Sequence, residues 1–161
     1  MNADAFRQFF EYHFKENHSL WECFVMQLSQ EQFIEDVDYS HGSIRDQIVH
    51  LMSVDRTWFT GLRGGEIPEP LNPASFSDRE AIRYLWDTIE QEMCEYLGSL
   101  CDNMLLEQPL EGEDKELYVW QVLLHVVNHG TDHRAQMLRI LNDFGIKTTS
   151  QDYIFFVYDN P

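Results

Sequence analysis

The chain has 161 residues, of which 43% are hydrophobic and 14% aromatic, enough to bury a core of ordinary size without disulfide support. Eleven Lys and Arg stand against 28 Asp and Glu, and a net charge of −17 repels phosphate backbones and anionic lipid surfaces alike, which argues against nucleic acid and membrane as partners. One domain, residues 1–161, is the expectation.

Phe6, Phe9, Phe10, Phe14, Trp21, Phe24, Val25 and Leu28 recur at three- and four-residue intervals and predict a first helix over about residues 3 to 28. "SQEQFIED" breaks that pattern and leaves room for a short helical turn. Ser43 with Asp46 three positions on is an acidic variant of the capping box and opens a second helix, "IRDQIVHLMSVDRTWFTGL", which Gly61, Gly64 and Gly65 end. Three of the five prolines then fall in "GGEIPEPLNPASFS", a loop. Ser77 with Glu80 predicts the cap of a third helix, along which Ile82, Leu85, Trp86, Ile89, Met93, Tyr96, Leu97 and Leu100 keep a 3.6 period. A fourth helix is expected from about Leu117 to Phe144, stopped by Gly145. The tail "DYIFFVYDN" admits a strand, a last helical turn or an extended segment. Four amphipathic patterns of this length imply an all-α protein, a four-helix bundle of antiparallel neighbours with a longer crossover at 64 to 76.

The three cysteines, Cys23, Cys94 and Cys101, lack any C-x-x-C pairing, which suits a reducing compartment and excludes a zinc ribbon. Cys23 and Cys94 are expected to be buried small hydrophobes, and Cys101, at a helix end, to be partly exposed. The N-terminus carries acidic residues and no uninterrupted apolar stretch, and no run approaches a membrane span, so the expected location is cytoplasmic.

The chemistry concentrates in the fourth helix. A rotation of about 100° per residue puts His133 inside its apolar face, His129 at the edge and His125 nearer solvent, and His129 and His133, four apart, can converge on one ion. His50 flanks the stripe of the second helix and can look across the bundle. Three neutral imidazoles from two helices suit zinc or nickel, with the remaining positions open to water or substrate. Asp55 near the middle of one apolar stripe and Arg134 within the other need partners and are expected to pair with each other or with the histidine shell; Gln136, on the His129 side, is a further candidate for that shell. The competing reading, core or interface histidines bonded to backbone, is left open by the residue pattern, and His13, His18 and His41 are expected to be satisfied or exposed rather than functional. No Glu stands three before any His, Gly130 follows His129 where a zinc protease would have its general-base Glu, and no phosphate loop or serine elbow appears.

"GSIRDQIVHLMSVDRTWFTGLRGG" followed by "LLHVVNHGTDHRAQMLRIL" resembles the DinB family. The likeness covers nearly the whole chain and rests on His50, Asp55 and Trp58 in the second helix and on His-Gly-x-x-His-Arg-x-Gln, residues 129–136, in the fourth. Ala135 stands where many members have glycine. The resemblance implies a four-helix bundle of up-down-down-up connectivity, a homodimer, and a divalent metal, often nickel or zinc, held by His50, His129 and His133. His125 matches a frequent family histidine that is not usually a ligand. Some relatives are S-transferases or isomerases that use low-molecular-weight thiols such as bacillithiol or mycothiol, which makes a metal-dependent thiol transferase the first expectation. Metal-assisted hydrolysis and a non-catalytic, metal-binding stress-response protein are the alternatives.

Overall fold

The computed structural model describes residues 1–76 and 78–160. The described residues hold no strand; their α-helices are α1 (Ala3–Ser19), α2 (Gln30–Ile34), α3 (Ile44–Leu62), α4 (Arg79–Ser99), α5 (Val119–Asp143) and α6 (Tyr153–Asp159). The starts follow the side-chain chemistry at each cap. Asn2 Oδ1 accepts from the Ala5 amide at 3.0 Å, and Ser29 and Gln32 close a reciprocal capping box on α2. Ser43 Oγ accepts from the Asp46 amide at 3.1 Å, but the Asp46 carboxyl turns to Arg45 Nε at 2.8 Å, so the expected box at α3 is made on one side only. Asp78 caps α4, accepting from the Glu80 amide at 3.0 Å; Ser77, the expected cap, lies outside the described residues. Gly145, at φ 83°, takes the left-handed turn that ends α5.

The first rod differs from a plain helix. After α1 the chain runs through a π turn, Leu20–Phe24, and a 3₁₀ turn, Val25–Gln27. The wider turn changes the register and lets Leu20, Trp21, Phe24 and Val25 all bury, with Trp21 edge-on to both Phe33 and Trp86. Cys23, within that turn, and Cys94, on the outer side of α4, are exposed together with Cys101, which corrects the expectation of buried thiols for the first two. Burial of its surroundings and the nearby Glu90 raise the Cys94 pKa, which disfavours its thiolate.

α3 packs against α2, α4 and α5, and α1 lies on α4 and α5, so a continuous apolar core draws on all four long helices. Phe10 meets Phe59 edge-on at 5.4 Å, and Phe59 meets Tyr96 in the same way at 5.6 Å. The aromatic tail is helical: α6 lays Tyr153 on Phe9 at 4.8 Å, buries Phe156, and is preceded by a bond from the Tyr12 hydroxyl to the Gln151 carbonyl at 2.6 Å. None of these helices is long and apolar enough to cross a membrane.

Candidate metal centre

The packing of α3 on α5 brings His50 against His133 and His129, with ring centroids 4.8 and 5.3 Å apart; His129 and His133 are themselves 4.3 Å apart. The burial order matches the rotation of α5: His133 is 6% exposed, His129 half-buried and His125 exposed. His125 lies 5.5 Å from His129 and edge-on to Trp58 at 5.3 Å. A fourth ring joins them from the loop before α3. His41 stacks on His50 at 3.8 Å and lies 5.2 Å from His133, and the candidate ligand nitrogens of His41, His50 and His133 fall within 4.8 Å of one another.

The electrostatics favour neutral imidazoles. Burial, then the neighbouring His41 and His133, lower the His50 pKa to about 4. Burial and the surrounding histidines lower His129 to about 3, and burial lowers His133 as well. At neutral pH each ring therefore keeps a lone pair for a cation. His133 Nδ1 faces Gln47 Oε1 at 3.5 Å, which directs its hydrogen there and leaves Nε2 as the ligand atom. His129 Nδ1 is buried with no hydrogen-bond partner, a condition that costs roughly 1–3 kcal/mol when nothing compensates it. A divalent borderline cation fits this donor set; the three imidazoles whose ligand nitrogens converge are His41, His50 and His133, and His129, expected as a ligand, lies outside that group with its ring 4.3 Å from that of His133.

The charged residues form a separate buried cluster. Arg134 donates to His13 Nδ1 at 3.2 Å and to Asn17 Oδ1 at 2.8 Å, and its Nε reaches Gln151 Oε1 at 3.2 Å. Asp55 Oδ2 lies 3.7 Å from His13 Nε2. Asp55 and Arg134 thus do not pair directly; His13 stands between them, and it does so because Gly130 leaves room. A Cβ at Gly130 would sit 2.3 Å from His13 Cε1. Gln136 bonds Ser40 Oγ and donates to Asp132 at 3.0 Å, so its role is to anchor the His41 loop rather than to orient an α5 imidazole. His41 and Gln47 have only weak sequence signals: Gln47 precedes His50 by three positions on one helix, and His41 sits in a turn whose reach no periodicity encodes.

No curated protein matches this chain. The family model described as the DinB family matches residues 1–160, and with a match of that extent the chain belongs to the DinB family.

Proposed function

We propose that the protein binds a divalent cation, zinc or nickel, through His50, His129 and His133, and that it works as a metal-dependent S-transferase using a low-molecular-weight thiol. The observation that carries the reading is the buried, unpartnered Nδ1 of His129 within a group of imidazoles held neutral by burial and by one another. A bound ion supplies Lewis acidity that lowers the pKa of a thiol or water reaching it. The chain's residues do the rest. Gln47 orients His133, and His125, exposed between His129 and Trp58, is placed to carry away the proton that a thiol loses as its sulfur bonds to an electrophilic carbon and the leaving group departs from that carbon with the bonding pair. His13 is unsuited to that role, because Arg134 and Asp55 flank its two ring nitrogens. The same reading takes the four long helices as a bundle of up-down-down-up connectivity in a cytoplasmic homodimer.

Metal-assisted hydrolysis is the second reading, and a specific feature favours it. Beyond Trp58 lies a cavity of about 500 Å³ whose lining includes Ile67, Leu110, Glu66, Glu111 and Asp114. Those carboxylates disfavour a thiol that carries carboxylates of its own and suit a neutral or cationic substrate attacked by water. Metal analysis of protein purified without chelator, beside His129→Ala, tests the binding. A thiol-consumption screen against small electrophiles, with hydrolysis followed in the same mixtures, separates the two chemistries. A wild-type protein that takes up no divalent metal on reconstitution overturns both.

A further inference from the structure

We infer that His41 is a fourth, loop-borne ligand, closing the coordination position that three helical histidines leave open; this rests on the metal reading above. The loop between α2 and α3 is folded to deliver it. Ser40 and Gly42, on either side of His41, both have left-handed backbone, at φ 55° and 85°, and the Gly42 amide donates to the Tyr39 carbonyl at 3.1 Å. A Cβ at Gly42 would meet Asp36 Oδ1 at 2.6 Å, a side-chain end free to turn aside, so it is the positive φ that reserves this position for glycine. Ser40 Oγ bonds Gln136 Oε1 on α5 and lies 3.4 Å from Gln47 Oε1 on α3, the same Gln47 that faces His133. The turn is thereby tied to both helices that carry the other imidazoles.

The placement suits a ligand better than a surface histidine. Zinc–nitrogen bonds of 2.0–2.1 Å set the nitrogens of a tetrahedral site ~3.3 Å apart. Nitrogens of His41, His50 and His133 already within 4.8 Å need to draw in by no more than ~1.5 Å, within the reach of side-chain rotation on an exposed loop. His50, His129 and His133 are fixed by helix packing, whereas His41 is exposed and held by a polar tether. It is therefore the ligand that an incoming substrate can displace, and the site alternates between closed and open by moving one turn.

The test compares wild type with His41→Ala, His41→Phe and His129→Ala, loaded with cobalt(II) and, separately, titrated with zinc against a chromophoric chelator. Because His41 is exposed, the metal-free variants are expected to melt as wild type does. Losing a group that only orients a ligand costs roughly 10–100-fold in affinity, so removal of a direct ligand should weaken zinc binding by about tenfold or more in both His41 variants at unchanged one-to-one stoichiometry. The visible cobalt absorption should weaken as coordination rises from four, and free imidazole should restore it in His41→Ala. His41→Phe keeps a ring to stack on His50 but no nitrogen; wild-type affinity and spectrum in that variant would overturn the inference. If His129→Ala loses metal while both His41 variants match wild type, the fourth ligand is refuted and the metal reading stands. If wild type takes up neither ion, both fall.

Discussion

Arg134 Nη1 lies 3.2 Å from His13 Nδ1, and because a guanidinium has only donors, Nδ1 accepts there, while Nε2 lies 3.1 Å from the Asn17 side-chain nitrogen and 3.7 Å from Asp55 Oδ2. A second proton on His13 would have to share the space of an Arg134 hydrogen. Burial lowers the His13 pKa first and Arg134 lowers it further, with Asp55 opposing. The unfolded chain takes up a proton near pH 6.5, where the folded protein does not. Stability that is complete above that pH is consequently lost as pH falls through 6.5 toward the lower folded value. Urea midpoints of the metal-free protein between pH 7.5 and 5 should show this decline. In His13→Asn, whose side-chain oxygen can still accept from Arg134, the slope should be shallower by up to one proton, about 1.4 kcal/mol per pH unit. Equal slopes for the two proteins would mean that His13 titrates as freely as in the unfolded chain.

The same contact gives Gly130 an unusual response to substitution. Glycine inside a helix is ordinarily destabilising by roughly 0.5–1 kcal/mol relative to alanine. Here the added methyl would approach His13 Cε1 to 2.3 Å and Nδ1 to 2.7 Å, and His13 cannot retreat without breaking its bond to Arg134. Gly130→Ala is expected to destabilise by about 1–3 kcal/mol, as overpacked cores do. In a His13→Ala background the same change should become neutral or stabilising, and the non-additivity of that cycle is the measurement. Additive effects would place the cost elsewhere in α5.

How far these features could be read from the chain depends on where each begins. The ends of α3 and α5 were legible because Ser43 and Gly145 mark them, and the facing of His133, His129 and His125 follows from helical rotation alone. The imidazole group was visible to the extent that it lies on helices. His41 was not, since its position depends on left-handed backbone at Ser40 and Gly42 and on a tether from Gln136, none of which leaves a periodic trace. Asp55 and Arg134 were legible as buried charges in need of partners, yet the partner between them, His13, looked like one more member of an aromatic stripe. The π turn at Leu20–Phe24 was hidden for a related reason: a one-residue change of register still resembles an apolar stripe.

Arg134 itself predicts a large loss. It is fully buried, burial lowers its pKa, and its donors serve Asn17, His13, Gln151 and Thr131. Arg134→Leu removes the charge and leaves Asn17 and His13 buried without their partner, which should cost roughly 3–5 kcal/mol by chemical denaturation. Metal uptake should survive if the variant folds, since Arg134 has no bond to His50, His129 or His133 among the described contacts. A loss below about 1 kcal/mol would show that the cluster is held by apolar packing alone.

Metal binding should appear as stability. A ligand that binds only the folded state stabilises it by RT ln(1 + [L]/Kd), about 4.1 kcal/mol at a thousandfold excess over Kd. Zinc or nickel added to chelator-treated protein should therefore raise Tm in a concentration-dependent way, and His50→Ala, His129→Ala and His133→Ala should each abolish most of the rise. His129→Ala carries an added signature. Removing its ring removes the unpartnered buried nitrogen, so the metal-free variant is relieved of that penalty and loses only ring packing. Its metal-free Tm should thus lie close to that of wild type while its metal-loaded Tm lies well below. A variant equally unstable with and without the ion would assign His129 to the core and not to a cation.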